Sequence, residues 1–233
     1  MTTPSINELL DFALDAAWQA GRLTLGYFQT AVSSNSTIKK ADNTPVTIAD
    51  KEAETLLRRL IGARYPEHGI IGEEHGQKST KPAARYQWVI DPIDGTKSFV
   101  AGVPIYATLL ALMDGDQAII GIIHLPALNE TIYATRGGGC YWNGRRTRVS
   151  ETTALKDAVL LSTSIDYSRY PLRKQAAWKQ LINATYIQRT WGDAYGYALV
   201  ATGRADIMLD PAMYFWDIAP LQVIMEEAGG TLT

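Results

Sequence analysis

Two carboxylates stand three residues apart in Trp88-Val-Ile-Asp-Pro-Ile-Asp-Gly-Thr-Lys-Ser-Phe99, at Asp91 and Asp94. The apolar run ending in Asp91 predicts a buried strand that delivers a carboxylate at its C-terminal end. Pro92 is expected to break that strand, and Asp94 to cap a following helix. The pair would then straddle a strand-to-helix turn, beside backbone N–H groups that favour an anion. Carboxylates suit hard cations and amides suit phosphate, and both fall within six residues. More acidic residues lie at predicted element boundaries: Asp50, Glu73-Glu74 and Asp217. Each alone has a plain reading, as helix-dipole stabilisation for Asp50 or Asp217 and as a solvated loop for Glu73-Glu74. Asp91 is harder to dismiss, because a carboxylate closing a buried strand needs a partner.

Mg²⁺ takes octahedral oxygen ligation at roughly 2.0–2.1 Å, from one or two carboxylates together with water and substrate phosphate. Two such ions roughly 3.5–4 Å apart can clamp the attacking and leaving oxygens of an in-line displacement. Carboxylates at loop ends without a Cys/His cluster fit that chemistry better than zinc. The histidines His68, His75 and His124 are scattered and read as structural or exposed. A nucleophilic-aspartate phosphatase of the haloacid-dehalogenase type places its second Asp two residues after the first. Asp91 and Asp94 are three apart with Pro92 between, which disfavours a phosphoaspartate.

Around these residues the pattern predicts alternating helices and strands. Leu9, Leu10, Phe12, Ala13, Ala16, Ala17, Ala20, Leu23 and Leu25 mark an amphipathic helix over 5–30, capped by Ser5. Residues 33–46 are polar and turn-rich and read as an exposed, mobile loop. Thr47 is a candidate N-cap for a second helix to about Arg64, with Asp50 in the capping-box position. Gly69–Glu74 is a short strand running into acidic residues, and Gln77–Arg85 a polar loop. Strands follow at 104–113, 117–125 and 130–135. Gly137–Gly144 carries an Asn143-Gly144 hairpin turn and lacks the Gly-Lys-Ser/Thr of a P-loop. Beyond it come a strand at 158–163, a helix at 171–183, a strand at 185–190, a small-residue helix over 192–203, a strand at 205–209 and a helix at 215–228. A single domain over 1–233 is expected. Residues 1–150 would give α+β layers with most metal ligands, and 151–233 α/β layers with the substrate residues.

The chain has 233 residues, 46% hydrophobic and 20% charged, which suits one sizeable core. A net charge of −2 argues against a nucleic-acid partner. Cys140 stands alone, so no disulfide framework is expected, in keeping with a reducing compartment. The N-terminus lacks a basic segment followed by an apolar core, and the apolar runs are too short to span a bilayer. A cytoplasmic protein with no membrane partner is the expectation.

Gly72-Glu-Glu74, Trp88–Thr96 and Trp216-Asp-Ile-Ala219 followed by Glu226-Glu-Ala-Gly-Gly230 resemble the inositol monophosphatase superfamily, and Val46-Thr-Ile-Ala-Asp50 matches a fourth block. The blocks fall in the family's order. The resemblance implies an αβαβα layered sandwich of the α+β class, hydrolysing phosphate monoesters with two or three Mg²⁺ ions. It implies that Glu73, Asp91 and the Ile93 carbonyl hold a first metal, and Asp91, Asp94 and Asp217 a second. Asp50, Glu74 and Thr96 would surround the attacking water, and the Gly95 and Thr96 amides would take the phosphate. Hydrolysis would then be direct, without a phosphoenzyme. The resemblance also implies a homodimer, with Tyr141 and Trp142 as contacts or as core, and further strands beyond Gly230.

Within the family, Asp94–Phe99, Arg189-Thr-Trp-Gly-Asp193-Ala-Tyr-Gly196 and Leu209-Asp-Pro211 resemble the histidinol-phosphate phosphatase branch, which serves histidine synthesis. Asp210 precedes Asp217 by seven residues, where the family places an acidic substrate contact; it could pair with a cationic amine. Gly192, Asp193 and Arg189 complete the candidate substrate set, though Asp193 could be a plain helix cap and Arg189 a structural ion pair. Ala101 offers the substrate neither charge nor ring. An inositol monophosphatase, a 3′(2′),5′-bisphosphate nucleotidase and a non-catalytic metal- or phosphate-binding regulator are the other readings.

Overall fold

A computed structural model of the chain describes residues 4–30, 37–39, 45–75, 84–168 and 171–233. Its helices are α1 (Ile6–Tyr27), α2 (Ile48–Arg64), α3 (Thr96–Val100), α4 (Leu172–Ala184), α5 (Asp193–Ala201) and α6 (Phe215–Glu227). Its strands are β1 (Thr37–Lys39), β2 (Pro45–Thr47), β3 (Gly69–Gly72), β4 (Tyr86–Asp94), β5 (Ala107–Asp114), β6 (Gln117–Leu125), β7 (Glu130–Thr135), β8 (Gly139–Trp142), β9 (Arg145–Thr147), β10 (Val159–Ser162), β11 (Ile187–Arg189) and β12 (Ile207–Leu209). No helix among the described residues is long and apolar enough to cross a membrane.

Strands β3 to β9 form one seven-stranded sheet in chain order, parallel only between β3 and β4. Strands β11, β10 and β12 form a small parallel sheet, with α4 as the crossover between β10 and β11. Successive side chains in a strand point to opposite faces, and this divides the core. Trp88 and Ile90 of β4, with Leu110, Leu112, Ile120 and Ile122, pack against Leu9, Ala13, Leu57 and Ile61 of α1 and α2. On the other face, Val89, Leu109, Ala111 and Ile123 pack against α5 and α6 through Ala198, Ala219 and Ile224, and Leu161 of the small sheet joins that same cluster. Helix pair, large sheet, helix pair and small sheet thus stack in layers, the α+β sandwich expected from the sequence.

The amphipathic N-terminal helix and its cap are as expected: Ser5 and Glu8 form a reciprocal capping box. Asn143 and Gly144 both have positive φ, as a two-residue hairpin turn requires. Other expectations are corrected. Pro92 does not end the strand; β4 runs to Asp94, and its pairing with β5 shifts register between Asp91 and Asp94, where a proline is tolerated. Asp94 does not cap α3, whose cap is Gly95 in the left-handed region with no side-chain bond. Within the stretch read as loop, β1 pairs antiparallel with β2; residues 31–36 and 40–44 lie outside the described residues. So does most of the expected loop 77–85. The second helix keeps its expected bounds, α2 starting at Ile48 with Thr47 in the cap position and ending at Arg64. Trp142 packs on the core under the Arg204 guanidinium, 4.3 Å from its ring centroid, and Tyr141 stacks on Tyr133.

Candidate active site

Asp91 shares its strand face with Val89, the face that meets α6, and Asp217 lies in the first turn of α6. Strand period therefore aims Asp91 at the helix that carries Asp217. The register shift after Asp91 then returns Asp94 to the same place. Asp91, Asp94 and Asp217 each offer an oxygen within 4.8 Å of the others. Asp91 is 2% exposed and Asp50, on α2, 1%.

Burial pushes the Asp91 carboxyl well above the usual carboxylate range, and Glu73, Asp94, Asp50 and Asp217 push it further. Asp94 is raised chiefly by burial, then by Asp193 and Asp217, while the Ala194 amide works the other way. Asp217 rises to about 6, again mainly through burial, with Glu73 and Asp210 adding to it. The three clustered aspartates thus feel the charges of Asp50, Glu73, Asp193 and Asp210. The plain reading of Asp217 also holds in part, since it accepts the Tyr214 amide at 2.7 Å.

The turn after Asp91 is closed by its own side chains. Asp91 Oδ1 accepts the Ile93 amide at 3.1 Å, and the Thr96 hydroxyl donates to the Ile93 carbonyl at 3.1 Å. A carbonyl oxygen has two lone pairs, so this bond leaves Ile93 able to take a second partner. Gly95 has φ +78°, and a Cβ there would meet the Asp193 carboxylate at 3.1 Å. The amides of Gly95 and Thr96 open α3. Glu74 follows Glu73 in the turn after β3, and its amide is held from α2.

On the small-sheet side, Thr163 was absent from the sequence reading and proves central. Its hydroxyl donates to Asp210 Oδ2 at 2.8 Å and accepts the Asp193 amide at 3.1 Å. A Cβ on Gly192 would lie 2.5 Å from the Thr163 Cα, so glycine permits that close approach. The cap of α5 is Gly192 rather than Asp193, and Asp193 itself has φ +53°, a strained backbone for a non-glycine residue. Burial and Asp210 raise the Asp193 carboxyl to about 6, against the pull of Lys97. Asp210 is raised by burial as well. Tyr197, also missed, donates to the Met213 sulfur at 3.1 Å, and its phenol is raised by burial and by Asp210, Asp94 and Asp217. Arg189 ends β11 and is exposed, its guanidinium donating to the Gln188 carbonyl.

An all-oxygen donor set, desolvated and self-repelling, fits a hard divalent cation, and it offers no thiolate or imidazole within the cluster for a softer one. Fold and site together define a layered α+β protein whose clustered aspartates suit a hard divalent cation. Residues 5–233 match the inositol monophosphatase family, and the chain belongs to it. A histidinol-phosphatase of Chlorobaculum parvum is 41% identical over 221 residues, covering 95% of this chain and 83% of the relative. A fructose-1,6-bisphosphatase/inositol-1-monophosphatase of Thermotoga maritima is 33% identical, covering 97% and 84%. The crystal structure of the extragenic suppressor protein SuhB from Bartonella henselae superposes with a TM-score of 0.88 at 26% identity, covering 95% of this chain and 85% of that one. The chain is a phosphoric monoester hydrolase of this metal-dependent family.

Proposed function

We propose that the chain hydrolyses histidinol phosphate, with Mg²⁺ held by Glu73, Asp91, the Ile93 carbonyl, Asp94 and Asp217. The observation that carries the substrate is the Asp193–Asp210 pair. Thr163 ties the Asp193 backbone to the Asp210 carboxylate, and both carboxylates stand beside the metal-site aspartates, where a substrate amine would meet them. A cationic amine offsets their repulsion; a neutral polyol hydroxyl does not. The 41% identity to a histidinol-phosphatase supports the same choice.

When bound, two or three Mg²⁺ ions would acidify water and offset the charge on phosphate oxygens. The Thr96 hydroxyl, donating its hydrogen bond to the Ile93 carbonyl, keeps its oxygen lone pairs for the attacking water. Asp50 and Glu74 are the nearby carboxylates assigned to accept the water proton. The Gly95 and Thr96 amides are first-turn donors with no partner inside α3, suited to the phosphate. Water attacks phosphorus, the ester P–O bond breaks, and the alcohol leaves with a proton, with no covalent intermediate. Gly192 lets the start of α5, which carries Asp193, lie close on Thr163, and Arg189 is assigned to the outer edge of the substrate. A homodimer is part of the same reading.

The test is a comparison of kcat/KM for histidinol phosphate, inositol 1-phosphate, fructose 1,6-bisphosphate and 3′-phosphoadenosine 5′-phosphate with Mg²⁺. Preference for histidinol phosphate, reduced by Asp210→Asn, is expected. Equal or better turnover of inositol 1-phosphate would overturn the substrate, and no turnover of any ester would favour a binding regulator.

A further inference from the structure

Glu54 has no role in the site described above, yet it is a fully buried carboxylate against the acidic turn. It follows Asp50 by four residues on α2, so both side chains leave one face of that helix. Its oxygens take three donors. Oε1 accepts from Arg58 Nε at 2.7 Å and from the His75 amide at 3.3 Å, and Oε2 accepts the Glu74 amide at 2.7 Å. Gly72 lets the end of β3 lie directly on this carboxylate: a Cβ there would come within 2.2 Å of Oε1. From the opposite side, the Glu73 amide donates to the Ile90 carbonyl at 3.3 Å, one residue ahead of Asp91. The turn Glu73–His75 is thus suspended by its backbone between α2 and β4.

A carboxylate is a poor choice if the position only had to be filled. Another buried negative charge beside an acidic cluster costs free energy, and Arg58 offsets it. What the charge supplies is acceptor capacity on both sides at once. A glutamine here has a single acceptor oxygen and turns its NH₂ toward one of the three donors.

Resting on the reading of Glu73 as a metal-holding residue, we infer that Glu54 is a positioning residue for the metal site. With Arg58 as its counter-ion, it fixes the backbone of Glu73–His75, and so aims the Glu73 carboxylate at Asp91. Mg²⁺ demands near-ideal octahedral geometry, so loosening that turn should weaken metal binding before it affects the substrate.

The experiment titrates Mn²⁺, a hard cation of similar ligand preference, into the full chain, reading free Mn²⁺ by electron paramagnetic resonance. Wild type, Asp91→Asn, Glu54→Gln and Arg58→Gln are compared, with melting curves and with KM at saturating Mg²⁺. Wild type should bind, and Asp91→Asn should lose binding. Glu54→Gln should raise the Mn²⁺ Kd by about 10–100-fold while KM stays within about twofold. Arg58→Gln should shift Kd the same way by less. A wild type that does not bind Mn²⁺ overturns the metal site itself. Wild-type binding with an unchanged Kd in folded Glu54→Gln, whatever its melting temperature, overturns the role of Glu54. If Glu54→Gln does not fold, Arg58→Gln decides in its place, and an unchanged Kd there overturns the inference.

Discussion

The Ala194 amide donates to the Asp94 carboxylate at 2.5 Å, joining positions 100 residues apart. The bond sets the start of α5 against the last residue of β4, so one carboxylate of the metal set is held by the layer that carries the substrate residues. A helix N-terminus favours negative charge, which partly counters the burial of Asp94. Asp94→Asn keeps an oxygen for Ala194 and loses the charge. Its melting temperature should stay close to wild type while Mg²⁺-dependent phosphate release falls at least about 100-fold, beyond what outer-sphere changes cost. Melting and steady-state rates on the same preparation check this.

The acidic cluster sets a pH dependence of definite sign. Asp217, raised to about 6, keeps its proton in the folded chain at pH values where the unfolded chain has shed it. Its contribution to stability is complete below the unfolded value of about 4 and is lost as pH rises through 6. With metal removed by EDTA, Asp217→Asn should therefore melt above wild type at pH 7, and the gap should close by pH 4. Metal binding runs the other way, because ligands must be deprotonated: the Mn²⁺ Kd should weaken as pH falls below 6. Melting curves in EDTA and Mn²⁺ titrations across that range test both halves.

Thr163→Val preserves shape and removes the hydroxyl that joins Asp193 to Asp210. The loss is of two hydrogen bonds, one of them to a charged group, and KM for histidinol phosphate should rise about tenfold. Mn²⁺ affinity should not change. A rise in KM of the same size for inositol 1-phosphate would show that Thr163 supports the site generally rather than the amine end.

Helix α6, which carries Asp217, lies on β6 at Gly121, where a Cβ would sit 2.2 Å from the Pro220 carbonyl oxygen. Backbone cannot yield as a flexible side chain can. Gly121→Ala should destabilise the fold by about 3 kcal/mol, the upper end for overpacking. Chemical denaturation measures the loss, and activity per folded molecule should drop as α6 moves from β4.

Asp91 and Asp217 were legible because one ends an apolar run and the other opens a helical one, places where side-chain period fixes direction, whereas Asp94 needs the register shift to reach them. The strands after Phe99 and the strand-helix alternation after residue 158 were legible from pattern, while the full layered sandwich was what the family resemblance implied. What was not legible depends on packing. Pro92 read as a strand breaker, since only pairing with β5 shows the register shift that accommodates it. Asp193, read as a substrate contact or a helix cap, has a positive φ and lies against Gly95 and Thr163, far off in sequence, which no local pattern shows. Thr163 carries no local signal at all. Glu54 did leave a trace, since it follows Asp50 by four residues and adjoins the buried stripe of Ala49, Ala53, Leu57 and Ile61.

The central claim is that divalent cations held by Asp91 and its neighbours power the hydrolysis. Phosphate release from histidinol phosphate, measured against Mg²⁺ concentration from EDTA upward in wild type and Asp91→Asn, tests it most directly. The expected result is no release in EDTA, a saturable rise with Mg²⁺, and loss of that rise in Asp91→Asn. Release that ignores Mg²⁺, or that survives Asp91→Asn undiminished, would contradict it.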